Sequence, residues 1–148
     1  MKSFKFSLQR VLDWRALQMR TEEEKLAMLQ RKLAALAQRE QSLTAAQSKS
    51  ERDVLSRPFI DGSQIKALAA FRLSIEHGRA SIRASRAQCE ALLVEQRMRL
   101  LKARKDLRVL EKVKENRLKE WQSLSDREVE DTAAENYISQ WARSALEP

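Results

Sequence analysis

The sequence predicts an all-α fold: two long helices forming an antiparallel coiled-coil hairpin, with a C-terminal helical extension. Three observations carry that expectation. Turn-forming residues are scarce, with two glycines and two prolines in 148 residues, so the chain has few places to reverse. One of each falls within Ser56-Arg57-Pro58-Phe59-Ile60-Asp61-Gly62-Ser63, the others being Gly78 and Pro148. On both sides of that stretch apolar residues recur at heptad spacing. The expected boundaries are a first helix over about 7–56, a turn at 57–62, a second helix over about 63–125 and a tail or short helix at 126–148, all in one elongated domain.

Met1 to Phe6 reads as extended, with Ser7 as N-cap and Phe6 and Val11 spaced as a hydrophobic staple. Leu12, Met19, Leu26 and Leu33 then repeat every seven residues, interleaved with Leu8, Leu29, Leu36 and Leu43, which makes a coiled-coil seam. Arg15, Glu22, Glu40 and Gln47 interrupt it; polar seam residues cost stability while setting register or meeting a partner. Pro58 and the restriction it places on Arg57 end the first helix near Ser56. Asp61 and Gln64 form a capping box for the second helix, with Ile60 and Ile65 at staple positions.

The second helix carries Phe71, Ile75, Gly78, Ile82, Ser85 and Cys89, then Leu93, Gln96, Leu100, Ala103, Leu107 and Leu110. Two consecutive steps of four, Ser85 to Cys89 to Leu93, form a stutter that locally unwinds a coiled coil. A reversal near residue 60 sets Gly78 opposite Leu43 and Leu110 opposite Leu12. It also gathers Phe4, Phe6, Trp14 and Trp121 at one end. Beyond Leu118 the second helix has no partner. Thr132 and Glu135 form another capping box, so Ala133 to Leu146 reads as a short helix with Tyr137, Ile138, Trp141 and Ala145 on an uncovered face.

Composition excludes several function classes. Aromatics are 5% and charged residues 34% of the chain, a mixture suited to long solvated helices. No apolar run approaches the roughly 20 residues that span a bilayer, and Lys2, Lys5 and Arg10 break any signal-peptide core, so a cytoplasmic protein is expected. Cys89 and His77 are the only cysteine and histidine, which leaves no disulfide, no metal cluster and no Cys–His pair. With two glycines there is no phosphate-binding loop, and no catalytic site or cofactor is expected. The net charge of +8 calls for an acidic partner surface. A nucleic-acid surface along Arg97 to Lys119 is disfavoured, because Asp106, Glu111 and Glu115 interrupt it and no aromatic is interleaved to stack bases. The apolar residues of the N-terminal segment are used in the seam rather than on a membrane.

That segment, Phe4-Lys5-Phe6-Ser7-Leu8-Gln9-Arg10-Val11-Leu12-Asp13-Trp14-Arg15, resembles the opening signature of the FliJ family of flagellar export proteins. The family signature reads Phe-x-Phe-x-Leu, then Val-Leu, then Arg at the same spacing. Glu22-Glu23-Glu24-Lys25 and Leu110-Glu111-Lys112-Val113-Lys114-Glu115 continue the likeness, and length, basic charge and hairpin design agree with that family over nearly the whole chain. The resemblance implies a coiled coil similar to the stalk subunit of rotary ATPases, monomeric when free and peripheral to the inner face of the cell membrane. Its terminal end would enter the central hole of the hexameric export ATPase and promote assembly and activity. It would also contact the membrane-embedded export gate and export chaperones. Carried over by position, Phe4, Phe6 and Arg15 are the ATPase contacts, and Phe71 and Ile75 the gate contacts. A homodimeric coiled-coil scaffold and a basic nucleic-acid-binding coiled coil are the alternatives.

Overall fold

A computed structural model describes residues 3–145. It consists of two α-helices packed against each other, α1 (Gln9–Leu55) and α2 (Gly62–Ser144), with no strand among the described residues. Met1 and Lys2 of the expected extended start, and residues 146–148 of the expected tail, lie outside the described residues.

The start of α1 departs from expectation. Its first backbone bond runs from the Gln9 amide to the Phe6 carbonyl at 3.1 Å, and the Ser7 hydroxyl accepts a bond from Arg117 at 2.8 Å. Phe6 is buried while Val11 is 42% exposed, so the two do not close a staple. The other end follows the proline argument: the Ser56 amide still reaches the Arg52 carbonyl at 3.0 Å, and the helix stops two residues short of Arg57. At the start of α2 the Asp61 carbonyl accepts from the Gln64 and Ile65 amides. Gln64 Oε1 in turn accepts from the Asp61 amide at 3.4 Å, the return arm of the capping box. Ser63 Oγ donates to Asp61 Oδ2 at 2.7 Å. That bond, with the Gly62 amide, holds the Asp61 carboxyl below its ordinary range.

α2 runs to Ser144 without a break, where a boundary near residue 125 and a separate short helix were expected. Thr132 is the reason. Its hydroxyl donates to the Glu128 carbonyl at 2.7 Å, the back-bond of a helix-interior threonine, and so does not cap a new helix.

The chain divides into two compact units: Arg20–Lys102, and Met1–Met19 with Ala103–Pro148. In the first, Ile75, Ile82, Cys89, Leu93 and Leu100 form the buried core. Each such isoleucine or leucine contributes roughly 1.5–3 kcal/mol. All of them come from α2. The α1 seam residues Leu26, Leu29, Leu33, Leu36 and Leu43 are half-buried, and α1 has no fully buried residue. Cys89 and Leu93 are 1% and 5% exposed, so both steps of the stutter face the core. Cross-helix contacts follow one order: Glu51 with Arg72, Thr44 with Arg79, Leu43 with Gly78, Glu40 with Arg86, Leu29 with Cys89 and Glu22 with Gln96. Gly78 lies under Leu43, as expected. A Cβ on Gly78 would stand 3.1 Å from Leu43 Cδ1.

Candidate partner-binding surface

Three of the expected site residues fall in the unit of Met1–Met19 and Ala103–Pro148. Phe4 is half-buried, and its ring meets Trp121 at a centroid separation of 6.0 Å and a tilt of 54°. Phe6 is 8% exposed, with the Arg117 guanidinium 5.8 Å above its ring. Arg117 thereby ties the chain entry to α2 twice, through Phe6 and through Ser7. One turn earlier Lys114 donates to Gln9 Oε1 at 2.9 Å.

Arg15 stands apart from these packing contacts. Its Nη1 donates to Asp106 Oδ2 at 3.1 Å and to Gln18 Oε1 at 3.2 Å, while its guanidinium carbon lies 4.9 Å from the centroid of the Trp14 ring. Arg15 and Asp106 side chains are 34% and 35% exposed, and Trp14 is 51% exposed. A pair this open to water is worth about 1 kcal/mol or less, so Arg15 leaves Asp106 at low cost. Phe4, Phe6 and Arg15 are thus brought into one unit with different tasks. Phe6 holds the fold, Phe4 is shared between Trp121 and solvent, and Arg15 with Trp14 is the pair open to solvent.

The expected gate residues belong to the unit Arg20–Lys102. Ile75 is 4% exposed and serves the core. Phe71 is half-buried and lines an open groove with Val54, Arg57 and Leu68. A second groove, lined by Lys25, Met28, Leu92 and Arg99, flanks a polar layer in the same unit. There Gln96, 6% exposed, donates to both the backbone carbonyl and the carboxylate of Glu22. The Gln96 bond, aided by Lys25, holds the Glu22 carboxyl below its ordinary value.

No family model, curated protein or solved structure matches this chain. Among the described residues no group of three or more His, Cys, Asp or Glu is placed to hold a metal ion, and no helix is long and apolar enough to cross a membrane.

Sequence reasoning placed Arg15 in the seam but did not find Asp106 as its partner, nor Arg117 as the partner of Phe6 and Ser7. The signal was present in part, since Asp106 is one of three acidic residues, with Glu111 and Glu115, inside a strongly basic run. Trp14 was expected to gather with Phe4, Phe6 and Trp121; it faces solvent and carries Arg15 instead. Further along α2, Tyr137, Ile138 and Trp141 are 71%, 62% and 67% exposed and Ala145 is exposed as well, leaving the expected apolar face uncovered.

Proposed function

We propose that this chain is a non-enzymatic, stalk-like component of a bacterial flagellar export apparatus, folded as an antiparallel coiled-coil hairpin with a C-terminal helical extension. It binds the hexameric export ATPase, promotes its assembly and activity, and links it to the export gate and to substrate chaperones at the inner face of the cell membrane. The observation that carries this reading is the FliJ-like opening signature with its arginine presented beside an exposed tryptophan. The hairpin is supported by the order of cross-helix contacts, in which partners move backward along α2 as α1 advances.

A coiled coil of this kind needs no chemistry of its own. It acts by binding one arrangement of the ATPase ring more tightly than another, and the difference in binding energy is what shifts ring activity. Arg15 and Trp14 supply a cationic and aromatic contact, and Phe4 adds apolar area. Phe71 is the gate contact, with Ile75 holding that part of α2 in place from the core side.

The deciding experiment titrates the flagellar export ATPase of the same organism with this protein. We expect a saturable rise in ATP hydrolysis that is lost when Phe4, Phe6 and Arg15 are changed together in a variant that stays helical. Unchanged hydrolysis, with no binding to the hexamer, overturns the reading.

A further inference from the structure

Away from the α1–α2 seam, α2 carries a second apolar row. Leu73, Val94, Met98 and Leu101 are 61%, 59%, 70% and 69% exposed. They belong to a single heptad series completed by the exposed residues Ala70, Ala80, Ala84, Ala87 and Ala91, with only His77 departing from apolar character. Ala80, Ala87, Val94 and Leu101 each follow a buried seam residue by five positions, which sets the row about 140° around the helix from the seam. The whole row lies within Arg20–Lys102. It is an unfilled coiled-coil face.

The charges along its edges identify what fills it. On one edge Glu76, Arg83, Glu90 and Arg97 recur every seven residues and alternate in sign; the other edge begins with Ser74, Ser81 and Gln88. In an antiparallel pair of helices each edge meets its own equivalent. We propose that a second copy of this chain covers the row, α2 against α2 and antiparallel, about a two-fold axis between Ala84 and Ala87. In that register Ala84 meets the second copy's Ala87, Ala80 its Ala91, and Leu73 its Met98. Small residues pack at the centre, and larger ones, His77 against Val94 and Leu73 against Met98, lie outside them. Glu76 then faces the second copy's Arg97, and Arg83 its Glu90; symmetry repeats both contacts.

The alternation also selects against other arrangements. Sliding by one heptad sets glutamate against glutamate and arginine against arginine along the whole edge. A parallel pairing brings Glu90 to Glu95 and Arg97 to Lys102. The face is locally neutral, so the chain's net +8 is not concentrated there. Glu76 and Glu90 hold Arg79 and Arg86 on their own helix at 3.4 and 3.0 Å, but exposed pairs of that kind exchange partners at little cost.

This inference does not rest on the stalk reading; it departs from the single-chain state that the FliJ resemblance implies and agrees with the homodimeric coiled coil set against it. Its test is sedimentation equilibrium of the full chain from micromolar to submillimolar concentration, with helicity followed by circular dichroism. The expected result is a reversible dimer. Arg83→Glu or Glu90→Arg alone weakens it by about tenfold or more, and the double variant Arg83→Glu, Glu90→Arg recovers it. A chain that stays monomeric throughout overturns the proposal, as does a dimer indifferent to the single reversals or not recovered in the double variant. None of these substitutions touches Phe4, Phe6 or Arg15, so the ATPase titration and this test fail separately.

Discussion

Arg15 occupies a position where the heptad rhythm asks for an apolar side chain, and its charge is answered by Asp106 on α2. Of the other three interruptions of the α1 seam, two are met from α2 and one from α1 itself. Glu22 receives Gln96, Glu40 receives Arg86 at 3.7 Å, and Gln47 donates to Glu51, which in turn holds Arg72 at 2.8 Å. Polar residues at a helix interface are tolerable when each finds a partner, and no buried side-chain nitrogen or oxygen lacks one among the described residues. The interruptions themselves were legible, because a period of 3.5 residues is a property of α1 alone. Their partners were not, since they depend on how the turn and the stutter set the register of α2. A pH prediction follows. Glu22, Glu51 and Asp61 all titrate below their ordinary values of 4.5, 4.5 and 3.8, chiefly through bonds from Gln96, Gln47 and Ser63. A carboxyl with a lowered folded-state value stabilises the fold above its ordinary value and loses that contribution as pH falls through the folded one. Thermal unfolding should therefore be flat above about pH 5 and shift to lower temperature below about pH 4. Glu22→Gln should lower the neutral-pH Tm and flatten part of the acid slope; an unchanged slope removes Glu22 from this account.

At the scale of the element, α2 supplies all the fully buried residues of the two helices while α1 supplies half-covered leucines. Within α2, Gly78 weakens the helix by about 1 kcal/mol relative to alanine. Gly78→Ala recovers that propensity but pushes on Leu43 Cδ1, the end of a flexible and half-buried side chain that moves a few tenths of an ångström. We expect a net stabilisation smaller than the propensity gain, read as a modest rise in Tm; Gly78→Leu should instead lower it. A fall in Tm with alanine would mean that Leu43 cannot give way. The seam of α2 could be read from its spacing, including the consecutive steps of four at Cys89. Its length could not. Thr-x-x-Glu at Thr132 is compatible with both a cap and a helix interior, and the choice is made by whether the hydroxyl finds a carbonyl four residues back, as it does at Glu128.

For the whole molecule the governing quantity is charge. The chain carries +8, and the stretch from Arg97 to Lys119 is its most basic part. Surface charges act over roughly 8–10 Å at moderate salt and lose reach as salt rises. If an acidic partner surface meets this chain, raising salt should move the ATPase titration to higher protein concentration without changing the maximal rate. A maximal rate that falls with an unmoved midpoint would mean that the contact is apolar, carried by Phe4 and Trp14. The all-α class with two packed helices was legible in the sequence; the burial that sets Phe4, Phe6 and Arg15 apart from one another was not, because it is decided by Trp121, Arg117 and Asp106 from more than ninety residues away.

Cys89 gives this chain a gauge of its own motion. It is the single thiol, 1% exposed, with Sγ donating to the Leu29 carbonyl at 3.4 Å. An alkylating reagent reaches it only when the helices breathe apart at that layer, so the labelling rate of the unaltered protein counts those openings without any added probe. A docked ligand that clamps the layer would slow the count, and one that pries it open would quicken it.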